Sequence, residues 1–118
     1  MKFSVKEDLD RDTGIVLTAH PAIFQSLLIK AGVGKLKAGT ILKAGDTGYE
    51  AAADADTPSV VLVEDVEAKG AGEIVGRCIL HGCVAQARLL DASKKAASKA
   101  LCEKLVACGI YPLQSFDE

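Results

Sequence analysis

Apolar residues in this chain recur mostly at every second position over short runs, and a single segment keeps the spacing of an amphipathic helix. Lys2-Phe3-Ser4-Val5-Lys6 alternates polar and apolar, as a short strand does, and Ile15-Val16-Leu17-Thr18 reads as a second. His20-Pro21 then interrupts regular structure, because the residue before a proline avoids the helical region. Residues 1–21 accordingly read as an N-terminal arm ahead of a β-rich domain spanning 22–118. Residues 22–31 read as either a short strand or a helical turn, and their partial alternation favours the strand.

Glycines at 32, 34, 39, 45 and 48 imply tight turns between very short strands. Thr40-Ile41-Leu42-Lys43 is predicted as one arm of a hairpin, with its turn within 44–48 and Tyr49 opening the return. A polar loop over 50–58 precedes the most β-branched stretch, 59–66. After a turn at 67–73, residues 73–84 read as a longer strand bent at Gly76 and Gly82.

The spacing of Ala97, Leu101, Leu105 and Cys108 predicts a helix over 93–108, with Asp91 or Ser93 as N-cap, Gly109 as C-cap and Pro112 as stop. Cys102 and Val106 fall on its far side, beside Lys95 and Lys99. That strip is either a subunit contact or a lightly covered surface. "IYPLQSF" then reads as an extended tail. The pattern as a whole predicts a mainly β chain with one packed C-terminal helix, an α+β domain of short bent strands.

Composition adds a partner. The 118 residues suit one domain, and 49% are hydrophobic, but only 4% are aromatic and there is no Trp. A core of small side chains is thin, and thin cores gain from oligomerisation. Net charge is −2 and no basic run forms a cationic footprint, which argues against a nucleic-acid partner. The longest strongly apolar run, Val60–Val63, is too short to cross a membrane. The charged start, "MKFSVKEDLDRD", lacks the apolar run of a secretory leader, so a reducing cytosol and free thiols are expected.

Candidate chemistry thins out on inspection. The acids at 7, 8, 10 and 12, at 54 and 56, and at 64, 65 and 67 read as solvated loops. Cys78 and Cys83 lie five apart in a strand, on opposite faces, while Cys102 and Cys108 lie about 120° apart around a helix. Neither pair converges as a metal site requires, and Cys108 reads as a core residue. Asp12-Thr13-Gly14 and Asp46-Thr47-Gly48 match the aspartic-protease triplet. Such an aspartate must sit among apolar strand residues so that two carboxyls share a proton, and neither triplet has that setting. Both read as turns. No catalytic, metal-binding or cofactor-binding residue is expected, and the chain does not read as an enzyme.

The order of three segments is more specific: "LKAGTILKAGDTGYEAAADADT", then "VVLVEDVEAKGAGEIVGRCILHGCVAQARL", then an Ala/Lys-rich helix leading to "GIYPL". It resembles the lambda-type head decoration (capsid cement) proteins of tailed bacteriophages. The matching positions are Gly39, Thr40, Ile41 and Leu42; Gly48 and Tyr49; Leu62, Glu64, Asp65 and Val66; Gly82 and Val84; and Gly109 with Ile110. The likeness covers roughly residues 35–113, and residues 1–34 carry none of its motifs. It implies a β-clip-like fold and a non-enzymatic homotrimer on the outer surface of the virion capsid. There it would bind the major capsid protein at local three-fold positions and stabilise the expanded shell against DNA pressure. Another non-catalytic oligomeric phage module, of tail or baseplate, is the alternative. The alternating arm could add a strand to a neighbouring sheet edge, with Phe3 and Val5 as its anchors.

Overall fold

A computed structural model describes residues 16–17, 22–30, 34–68 and 74–114. Its elements are β1 (Val16–Leu17), β2 (Ile23–Ile29), β3 (Gly34–Leu36), β4 (Ile41–Gly45), β5 (Gly48–Ala51), β6 (Val60–Leu62), β7 (Val66–Ala68), β8 (Ile74–Ala85), a 3-10 turn (Gln86–Arg88), α1 (Lys99–Ala107) and β9 (Ile110–Leu113). The chain is mostly strand with a single helix near its C-terminal end, the predicted class.

The strand pairings close on themselves. β8 runs antiparallel to β2 and to β6, β6 to β4, and β4 to β5; β5 then meets β2 in parallel through one pair, Ile29 with Tyr49. The result is a small five-stranded barrel. The far half of β8 leaves it to pair with β1 on one side and β9 on the other. β3 and β7 form a separate two-stranded ribbon.

Strand periodicity splits the apolar residues between two cores. One set fills the barrel: Ile29, Leu42, Val60, Leu62 and Cys78, with Leu36 and Val66 arriving from the ribbon. The other set coats its outer wall: Ile41, Val61, Val63 and Ile79 pack against Leu101, Cys102, Leu105 and Ile110 of the helix and β9. This explains why Val60-Val61-Leu62-Val63 is apolar without interruption: its residues enter the inner and outer cores by turns, and a strand buried on both faces has no polar positions.

Glycines permit the closure. A Cβ on Gly76 would lie 2.8 Å from Leu62 Cδ1 inside the barrel. At Gly48, φ is +144° and a Cβ would lie 2.7 Å from the backbone nitrogen of Lys30. β5 can meet β2 only because that carbon is absent.

Three expectations need correction. The strand predicted over 59–66 is two, β6 and β7, broken at Val63–Asp65. There Glu64 accepts the Arg77 N–H at 2.8 Å and Asp65 that of Ala38 at 2.8 Å. The helix begins at Lys99 rather than near 93, because the Asp91 carboxylate accepts the N–H groups of Ser93 and Lys95 and folds 91–96 into a loop. Ser98 is the N-cap, its hydroxyl accepting the Leu101 N–H at 3.1 Å. The expected tail is in part a strand, since Ile110–Leu113 pairs with β8. Cys108 rather than Gly109 is the C-cap, and Gly109, with φ +91°, follows it as the left-handed residue that stops the helix.

Candidate interaction surfaces

The outer face of β2 and β8 is only half covered. Along it the pairs are Phe24 with Ile79, Ser26 with Arg77, and Leu28 with Val75. The first pair belongs to the outer core beneath the helix layer. The last lies beyond it, leaving Val75 60% and Leu28 37% exposed on a rigid antiparallel ladder. Between them the Arg77 guanidinium stacks 4.3 Å from the centre of the Phe24 ring, bounding the bare patch with a held cation. The sequence carried the signal, since even positions of β8 up to Leu80 turn inward and Val75 must turn out. That reading needs the barrel to be known.

A second surface lies between α1 and β9, where Cys102, Val106, Pro112 and Gln114 border an open groove of about 450 Å³. It includes both residues of the predicted helix strip, with different roles. Cys102 is 5% exposed and belongs to the outer core, whereas Val106 is 49% exposed. The predicted stripe placed Cys102 outward and Cys108 inward; a helix starting later and bedded between β9 and the barrel reverses them. Cys108 is exposed, its thiol donating to the Pro58 carbonyl at 3.1 Å. Phe3 and Val5, the proposed arm anchors, and Asp12 lie outside the described residues.

Asp46 sits exposed in the β4–β5 hairpin turn, as predicted for that triplet. Asp54 and Asp56 prove to be organisers rather than free loop charges. Asp54 accepts the Ser98 hydroxyl at 2.9 Å. Asp56 accepts the Ala53 N–H at 2.8 Å and pairs with Lys43 at 3.1 Å. The backbone hydrogen bond first, then the lysine, hold the Asp56 carboxyl below its ordinary range. Lys104 of α1 donates to the carbonyls of both aspartates, fastening this loop to the helix.

All four cysteines are free thiols. The five-residue spacing of Cys78 and Cys83 does not set them on opposite faces, because β8 carries a bulge: Ile23 pairs with His81 but Phe24 with Ile79. Ile79 and Val84, also five apart, share one core. Burial pushes the Cys78 thiol up to about 12, aided by the charge of Glu64, and burial also raises Cys83 and Cys102. Among the described residues no three His, Cys, Asp or Glu side chains gather as metal ligands, and no helix is long and apolar enough to cross a membrane.

The positions on which the expected family resemblance was based have folding roles. Gly39 turns with φ +100°. Thr40 is buried, its hydroxyl donating to the Lys37 carbonyl at 2.6 Å. Gly48 closes the barrel, Glu64 and Asp65 pin the β6–β7 break, and Gly82 accompanies the bulge with φ +138°. They report how the chain folds, not what it touches. No family model, curated protein or solved structure matches the chain.

Proposed function

We propose that this chain is a non-enzymatic structural module that works as an oligomer, specifically a homotrimeric head decoration protein on the outside of an expanded phage capsid. The observation that carries the oligomeric part is the bare Leu28–Val75 pair. Two large apolar side chains held outward on a paired ladder are fit to be buried by another surface. The capsid part rests on the ordered likeness to the decoration family over residues 35–113.

Native mass and shell binding test the two parts separately. The wild-type chain is expected as a trimer that co-sediments with expanded empty shells and not with unexpanded precursors. Leu28→Asp with Val75→Asp should yield a folded monomer, because two carboxylates would have to be buried for the contact to form. A wild-type monomer would refute the reading. A trimer indifferent to shells would move it to a tail or baseplate module. Deleting residues 2–12 should weaken shell binding and leave the trimer intact; unchanged binding would remove Phe3 and Val5 as anchors.

A further inference from the structure

A cleft of about 260 Å³ lies between β3 and the loop at 90–94. Lys35, Lys37 and Lys94 line it, over a floor that includes Leu36, Thr40 and Ala51. None of the three lysines has an ion-pair partner among the described residues. Two carboxylates temper them: Glu67 stands opposite Lys35 across the ribbon, and Asp91, also at the cleft, is occupied with the N–H groups of Ser93 and Lys95. Lys94 is held at φ +65°, the one left-handed non-glycine residue among those described. Such a conformation is unfavourable for a residue with a side chain and persists only where its surroundings impose it. β3 pairs with β7 alone, so its other edge offers unpaired backbone groups among the described residues.

The same chain contains a complementary segment, Glu7-Asp8-Leu9-Asp10-Arg11-Asp12. In extended form it would place Asp8, Asp10 and Asp12 on one face, about 6.7 Å apart. Lys35 in β3 and Lys37, one residue beyond the strand's end, are two residues apart as well. We propose that this acidic segment docks in the lysine cleft, running along the open edge of β3 with its aspartates toward Lys35, Lys37 and Lys94. Lysines beside a sheet edge also keep sheets of different molecules from pairing, and that role needs no docked segment.

Carbodiimide cross-linking of the full chain, read by peptide mass spectrometry, separates the two. Docking predicts amide links from Asp8, Asp10 or Asp12 to Lys35, Lys37 or Lys94, in clear excess over links to Lys99 on the helix. High salt should abolish the excess, because exposed charges are screened. Lys37→Glu with Lys94→Glu should also abolish it and expose the Arg11–Asp12 bond to trypsin several-fold faster; adding Asp10→Lys and Asp12→Lys should restore the cross-links in reverse, with amine and carboxylate exchanged between the two segments. Links spread evenly over all lysines, or a cleavage rate unmoved by the charge reversals, would overturn the proposal. Shell binding enters neither measurement, so the two readings fail separately.

Discussion

At the scale of single residues, burial decides what each cysteine can do. Cys78 faces the barrel interior with its thiol held near 12, so its thiolate is scarce at neutral pH. Cys108 is exposed on the helix end. Alkylation of the native protein at pH 8 should modify Cys108 and spare Cys78 until denaturant is added; rapid labelling of Cys78 would show that the barrel opens. Because the folded pKa is raised, neutral Cys78 supports the fold fully below the ordinary value of 9.0, and that support is lost as pH rises toward about 12. The urea midpoint should therefore fall across that window, and Cys78→Ala should flatten the decline. Asp56 has the opposite sign: its carboxyl is depressed, so its contribution is present above its ordinary pKa and fades in acid.

At the scale of elements, the helix shows how a local signal is outbid. Asp91 and Ser93 are both good N-cap residues, and the apolar spacing reaches back to Ala97. Asp91 instead caps a loop, which a bridge between Leu90 and Ala96 closes and a second bridge, from Leu90 to Thr40, holds in place. The helix can start only where Ser98 is free to accept from Leu101. Ser98→Ala should cost about 1 kcal/mol in urea unfolding, while Ser93→Ala should cost much less. Equal losses would mean that the helix begins earlier. The β6–β7 break is of the same kind: Val66 has strand propensity, but Glu64 and Asp65 are committed to neighbouring N–H groups and turn the chain.

At the scale of the whole molecule, closure is the central fact. A single residue pair, Ile29 with Tyr49, and the hydrogen bond from the Lys30 N–H to the Tyr49 carbonyl at 2.9 Å join the first strand of the barrel to the β4–β5 hairpin. Gly48 sits at that seam against backbone atoms that cannot step aside. Gly48→Ala should part β5 from β2, seen as faster amide exchange at Lys30 and lower thermal stability, with the β4–β5 hairpin retained. Normal exchange at Lys30 would show that the seam does not hold the barrel shut. In the proposed oligomer, sister chains that cover the Leu28–Val75 patch would support a barrel with one narrow seam and a thin aliphatic core.

The alternation of apolar and polar residues along the chain determined the class, the β4–β5 hairpin, the long strand through Gly76 and its irregularity near Gly82, and the existence and end of the helix, because period-two and period-3.6 burial and glycine conformations are local properties. Tertiary structure alone decided which face of each strand met which core. Once a sheet curls into a barrel and a bulge inverts the alternation in β8, the same residue spacing no longer implies the same side. It also decided that Cys102 is buried and Cys108 exposed, that Val75 is bare, and that Lys35, Lys37 and Lys94 converge. Those outcomes depend on packing between segments far apart in sequence, and local periodicity carries no record of it.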